Sequence, residues 1–348
     1  KTIAETLRPL AVGLFVFAIP IFAPAGIAAK SPVNYVNPYI GNVSHLLVPT
    51  FPTVHLPNSM LLVYPQRSAF NISPTSGAPA SPVAKYNYDN EHIAPYCYSV
   101  ELGDNSIRAD YAPSHQSAVY ALHFNDGNPY IAISTPRGRL SAEGNHVSGY
   151  QQLSGNTRIY LYLETEQEPQ AVSTLENGRD GDCLVMQFVP SIRREAALRH
   201  IAHQRGASRK EPAPRNRRLR PDKVAQAGRR AWNEALGSIM VDDDADDMTT
   251  FYTSLYRTFG ADMLSEDNRY FSAFDGLVHS DNGIPFYTDD WIWDTYRAAH
   301  PLRILINSDR EEAILHSFLE MANQMGNGWM PTFPELTGVN CSLVVCDS

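Results

Sequence analysis

The chain has 348 residues, 43% of them hydrophobic, enough to bury the cores of two ordinary domains. Its formal charge of −9 is a deficit of the Lys and Arg that phosphate neutralisation requires, so no nucleic-acid partner is expected. Aromatic residues make up 10%, with 18 tyrosines, a supply suited to wide binding surfaces for small neutral ligands.

At the N-terminus Lys1 and Arg8 precede an apolar run from Leu10 to Phe22, and the small residues Gly26, Ala28 and Ala29 follow. That order is signal-peptide anatomy, so residues 1–29 are expected to be removed on export, leaving a secreted or periplasmic protein. Pro20 and Pro24 break the run short of the ~20 apolar residues a spanning helix needs, so no stable membrane insertion is expected after cleavage. Cys97, Cys183, Cys341 and Cys346 form no CxxC pair and lack a His at zinc-ligand spacing.

Asn37-Pro38-Tyr39-Ile40-Gly41 then leads toward His45 and His55, two loop histidines able to act as ligands or bases or simply to be hydrogen-bonded. Short strands between turns follow: Ala118 to Phe124, Tyr130 to Ser134, Thr157 to Leu163 and Cys183 to Val189. In the third of these Ile159, Leu161 and Leu163 alternate with Tyr160 and Tyr162, the period of two that builds sheets. Asn-Asp-Gly-Asn at 125–128 and Asn-Gly-Arg-Asp-Gly at 177–181 supply turns, so residues 30–190 are predicted to form an N-terminal antiparallel β-sandwich.

Residues 190–230 hold 13 of the 28 basic side chains, which reads as a solvated basic linker over 191–235. Beyond Asp247 the period lengthens, with Phe251, Leu255, Tyr256, Phe259 and Met263 at helical spacing. A second helix is predicted from about Asp289 to Ile306, bent near Pro301. A third opens at Ser308 with Glu311 in an S-x-x-E capping box and carries Ile314, Phe318, Met321 and Met325 on one stripe. Strands followed by helices imply a multidomain β plus α chain, with residues 236–348 beginning a separate all-α domain whose stripe awaits further helices.

The densest mixture of rings and ionisable groups is Phe286 to Arg297, FYTDDWIWDTYR. A pyranose asks for that mixture, because its C–H faces stack on aromatic rings while its rim hydroxyls pair with carboxylates and guanidinium groups. On a continuous helix Asp290, Asp294 and Arg297 would share a face, as would Trp293 and Arg297, whereas a core helix with a surface Asp294–Arg297 pair is the bland alternative. A second concentration, Gly328 to Glu335, puts Trp329 and Glu335 on a loop after the third helix. Dinucleotide, P-loop, nucleophile-elbow and zincin motifs do not occur.

Taken in order, Tyr35 to Gly41 (YVNPYIG), Ala231-Trp232-Asn233, Phe251 to Thr258 (FYTSLYRT), Trp293 to Pro301 (WDTYRAAHP) and Pro334-Glu335-Leu336 resemble the landmarks of glycoside hydrolase family 92, the calcium-dependent exo-acting α-mannosidases. The resemblance runs from about Asn34 to Gly338, and WDTYRAAHP is its most specific string. It implies a β-sandwich packed on an (α/α)6 barrel, a six-hairpin glycosidase that removes α-linked mannose with inversion, assisted by calcium. Inversion uses one carboxylic acid to protonate the leaving oxygen and a second carboxylate to activate water. By analogy Trp293, Asp294 and Arg297 match residues lining the terminal-mannose subsite, with Glu335 nearby, and mannose-containing glycans are the expected partners. The resemblance puts the acid and base beyond Ser348, in motifs of a C-terminally truncated barrel, so no catalytic or metal residue is assigned. The stretch from about Leu198 to Lys223 departs from the family's acidic helical linker. Two readings stand beside this one: the same architecture acting on another glycoside, and a non-catalytic carbohydrate-binding sandwich protein.

Overall fold

The computed structural model describes residues 31–42, 52–61, 70–104, 106–153, 157–178, 180–190, 195–204, 220–331 and 334–336. The N-terminal apolar run, His45, residues 205–219 of the basic stretch, Cys341 and Cys346 lie outside them. Two antiparallel sheets form the first layer pair. The smaller has the order β1 (Asn71–Thr75), β6 (Tyr130–Ser134), β11 (Cys183–Gln187), β10 (Ala171–Thr174). The larger runs β2 (Tyr88–Ala94), β3 (Cys97–Leu102), β4 (Ile107–Pro113), β5 (Ser117–Phe124), β12 (Glu195–Gln204), β9 (Arg158–Thr165), β8 (His146–Gln152), β7 (Gly138–Glu143).

The alternation read in the sequence sorts these strands' faces. Leu161 and Leu163 point inward and join Leu122, Phe124, Ile131, Ile133 and Met186 in one core shared by both sheets, so the pair is a sandwich. Tyr160 and Tyr162 face away, against Tyr150 and His146 at ring-centre distances of 6.2 and 5.5 Å.

The basic stretch departs from the linker expectation. Residues Glu195–Gln204 are a central strand, β12, paired with β5 through Leu198↔Tyr120 and with β9 through His200↔Leu163. Without it β5 and β9 would each carry a buried edge of unpaired N–H and C=O groups, and side-chain charge does not interfere with that backbone pairing. The stretch also ends in a helix, α1 (Pro221–Leu236), with Pro221 at its first turn, where the missing N–H costs nothing.

The helical part follows with α2 (Ala245–Arg257), capped by the Asp244 carboxylate, which accepts from the Asp246 and Asp247 N–H groups at 3.0 Å. Met263 is not on this helix as its spacing implied. The chain leaves α2 through Gly260, and β13 (Asp262–Met263) pairs with β16 (Tyr287–Thr288), while β14 (Arg269–Phe271) pairs with β15 (Val278–Ser280). The predicted helix from Asp289 to Ile306 is two pieces, α3 (Ile292–Thr295) and α4 (Ala299–Ile306). The break falls at 296–298 rather than at Pro301, which sits in the first turn of α4 and so removes no hydrogen bond.

The last helix, α5 (Ser308–Met325), is capped by Asn307, whose side chain accepts from the Arg310 N–H at 3.1 Å. The expected Ser308–Glu311 capping box does not form, because Glu311 is 2% exposed and turned inward. Ile314, Phe318 and Met321 are already covered, by Leu264, Tyr270, Phe286 and Tyr287, and Met325 is half-buried. The exposed apolar side chains of this region are instead Ile304, Leu305, Leu315 and Leu319.

Helices and sandwich are tied by the N-terminal segment. Val33 N–H donates to Asn233 Oδ1 at 3.1 Å, Asn37 N–H to Thr253 Oγ1 at 2.9 Å, and the Arg257 guanidinium to Pro38 O at 3.1 Å. Trp232, fully buried, donates its indole N–H to His55 O at 2.7 Å. Gly228 of α1 lies so close to the sandwich that a Cβ there would meet Tyr96 Cβ at 2.9 Å.

Candidate functional site

Three segments converge around the FYTDDWIWDTYR string: β16 with the residues after it, the short α3, and the loop following α5. That loop opens at Gly326, left-handed at φ 68°, which ends α5 as a C-cap and sends the chain back toward β16. Asp289 N–H donates to Pro334 O at 2.9 Å, and Leu336 N–H donates to Asp289 Oδ2 at 3.0 Å. These two bonds hold Glu335 beside Asp289, which itself has φ 56°.

The carboxylates here are crowded. Burial, with the Glu335 charge adding to it, pushes Asp289 up to about 6 against the pull of the Leu336 N–H. Burial and then the Asp289 charge hold Asp262, one strand away, well above the usual carboxylate range. Since Asp289 binds its proton more tightly folded than unfolded, its contribution to stability is full below about pH 4 and is lost as pH rises through about 6. Asp289→Asn keeps an acceptor for Leu336 and removes the charge. It is expected to stabilise the fold by about 1–3 kcal/mol at pH 7 and by almost nothing at pH 4. Urea unfolding at the two pH values checks this; an equal effect at both would show that Asp289 is not under electrostatic strain.

Of the expected site residues, Trp293, Asp294 and Arg297 are all exposed on or just after α3. Trp291 and Tyr296 are exposed with them, and the Arg297 Nε–H donates to Tyr296 Oη at 3.2 Å. Asp290 is not on their face. It is 3% exposed and pairs with the Arg303 guanidinium, so the shared face of Asp290, Asp294 and Arg297 does not exist. That face required a continuous helix, and α3 is one turn long. Trp329, on the loop after α5, is 78% exposed. His55 is a core histidine: its Nδ1 faces Leu56 O at 2.9 Å, its ring lies 5.4 Å from that of Trp232, and burial lowers it to about 4.

Beneath the exposed rings lies a group that sequence reasoning missed. The Asp290 carboxylate meets Arg303. Glu311 Oε1 receives His300 Nδ1 at 2.5 Å, Arg303 Nη1 lies 3.8 Å from Glu311 Oε2, and His300 Nε2 contacts Thr295 Oγ1 at 3.0 Å. Its signal was the spacing of His300, Arg303 and Glu311; of these, Glu311 reads in the sequence as part of a capping box.

Calcium takes six to eight oxygen ligands. Among the described residues, the one group of three acidic or metal-binding side chains with ligand atoms within 4.8 Å of one another is Asp243, Asp244 and Asp247. It is exposed at the start of α2, where Asp244 already serves as the cap. No such group of three occurs among the described residues around Trp293. No helix among the described residues is long and apolar enough to cross a membrane.

Residues 66–183 match the glycosyl hydrolase family 92 N-terminal domain, and residues 211–342 match the glycosyl hydrolase family 92 catalytic domain. No curated protein matches in sequence. Among solved structures, a family GH92 inverting mannosidase from Bacteroides thetaiotaomicron VPI-5482 superposes with a TM-score of 0.76 at 21% identity, over 88% of this chain and 50% of that one. A family GH92 alpha-mannosidase from Bacteroides thetaiotaomicron gives 0.76 at 17% identity, over 89% and 52%. A structure of that enzyme in complex with mannoimidazole gives 0.75 at 17%, over 88% and 50%. At such identities the likeness establishes the fold, a β-sandwich followed by the first part of a helical domain. The chain spans about half the length of the structures it matches.

Proposed function

The chain belongs to glycosyl hydrolase family 92, and from that premise we propose that it is the front part of an exported, inverting α-mannosidase that removes terminal α-linked mannose from glycans. The observation that carries the reading is the match of both domains of the family, in order, on one chain whose most specific string, WDTYRAAHP, presents exposed rings and charges. In this reading the Trp293 indole stacks on the C–H face of the sugar, Asp294 and Glu335 accept from its hydroxyls, and Arg297 donates to its ring substituents. Export rests on the signal-peptide order of residues 1–29, and calcium rests on the resemblance. The proposal puts the acid and base in the half of the matched structures that this chain does not span, so the 348-residue polypeptide is expected not to hydrolyse mannosides.

Two measurements test the reading. Binding of methyl α-mannoside is expected to weaken roughly 10- to 100-fold in Asp294→Ala, because the hydroxyls it accepts from lose a charge-assisted partner worth about 1–3 kcal/mol. Equal affinity in parent and variant would leave Asp294 a surface residue. Incubation with an aryl α-mannoside, with and without calcium, is expected to release nothing above a buffer blank. Calcium-dependent release would instead place the chemistry on this chain's own carboxylates, with Asp289 and Glu335 the first to examine.

A further inference from the structure

The exposed platform that carries Trp293 and Asp294 touches the core through Ile292, a half-buried side chain packed against the cluster of Tyr287 and Ile314. The α3 helix is four residues long, buries none of them and has no side-chain cap, and one isolated turn is far below the length at which a helix holds its shape in water. The rings on this stretch, Trp291, Trp293 and Tyr296, are each close to half exposed. The direction of its exposed side chains needs more than that packing contact.

The two ends of the stretch supply it. Asp290, immediately before the platform, and His300, immediately after it, are both buried in the same charged group, whose other members are Arg303 of α4 and Glu311 of the long α5. Arg303 is anchored in turn to the end of α2, donating through Nη2 to Thr258 O at 3.0 Å. From within this group one strut reaches into the platform itself: His300 Nε2 contacts Thr295 Oγ1 at 3.0 Å, and Thr295 Oγ1 also lies 3.0 Å from Trp291 O. Burying two carboxylates is a costly way to gain stability, since a well-packed apolar cluster does as well or better. What such a network adds is a defined geometry, because each partner tolerates little displacement.

We propose that Thr295, His300 and Glu311 are positioning residues: the Glu311–His300–Thr295 relay, with Asp290–Arg303 at the other end, staples the 291–299 platform so that Trp293 and Asp294 stand ready for a sugar. The mannose part of this inference rests on the proposed function; the stapling does not. Thr295 is half-buried, so removing its hydroxyl leaves the core intact and isolates the strut.

The test uses the 348-residue chain labelled with 5-fluorotryptophan, whose four fluorine signals are assigned by single Trp→Phe replacements. Thr295→Val is expected to move the Trp291 and Trp293 signals toward that of the free amino acid while the signal of buried Trp232 stays in place. Thr295→Ser, which keeps the hydroxyl, is expected to restore the parent spectrum, and His300→Gln to reproduce the displaced one. Unchanged Trp291 and Trp293 signals in both Thr295→Val and His300→Gln would overturn the proposal, as would a Trp232 signal displaced together with them, which is the mark of a merely structural role. Adding methyl α-mannoside separates the two ideas. The parent's Trp293 signal is expected to shift with the sugar, and the midpoint to rise at least fivefold in Thr295→Val. A parent Trp293 that ignores the sugar while Thr295→Val still displaces it would sink the mannose reading and uphold the staple.

Discussion

Arg303→Met is expected to destabilise the helical part by about 3–5 kcal/mol, and near the upper end of that range to prevent its folding. Arg303 is 6% exposed and stands between Asp290 and Glu311, exposed 3% and 2%. Asp290 Oδ1 and Glu311 Oε2 are buried without a hydrogen-bond partner among the described residues, so the two charges depend on Arg303 and His300 for compensation. A methionine fills the volume and removes the cation, which leaves two like charges in a site with little water. The companion triple change, Arg303→Met with Asp290→Asn and Glu311→Gln, is expected to recover most of the loss, because it removes the stranded charges as well. Urea denaturation followed by circular dichroism measures both. A single variant within 1 kcal/mol of the parent would mean that water, not Arg303, compensates these carboxylates.

Trp232→Ala is the second large effect, expected at about 3–5 kcal/mol. The side chain is fully buried and touches the rings of His55, Tyr256 and Phe259, with centres 5.4, 4.9 and 5.7 Å away. It therefore joins α1 and α2 to the loop that carries His55, and its loss opens a cavity where the layers meet. Trp232→Phe separates the contributions: most of the ring contact survives, but His55 O loses the indole N–H, so about 1–2 kcal/mol is expected. Chemical denaturation of the two variants gives the comparison. Equal losses would show that the hydrogen bond, not the ring, holds the layers together.

Both predictions concern residues inside or beside the landmark strings, and the structure shows what several of those residues join. Trp232 and Asn233 hold the N-terminal segment, Thr253 and Arg257 bind its backbone, and His300 secures the platform. In this chain the landmark strings are in large part joints between layers. Trp293, Asp294 and Arg297, by contrast, are exposed, and no packing among the described residues accounts for an indole, a carboxylate and a guanidinium at that surface.

The sequence by itself determined the sandwich, the change to helices after it, the family, and the concentration of rings and acids at 286–297. Each is written in a local period or a short string: alternation in Arg158–Thr165 dictates which of its side chains face the core, whatever the partner strand. Tertiary structure alone decided three other matters. It put Glu195–Gln204 in the middle of a sheet, although its composition read as a linker. It turned Glu311 inward to His300 rather than back to a helix cap, and it drew Asp290 away from Asp294 into an ion pair with Arg303. Strand pairing satisfies backbone groups and takes little account of side-chain charge. A carboxylate's partner is set by which cation lies within about 4 Å once the chain has folded, so neither outcome follows from the spacing of residues along the chain.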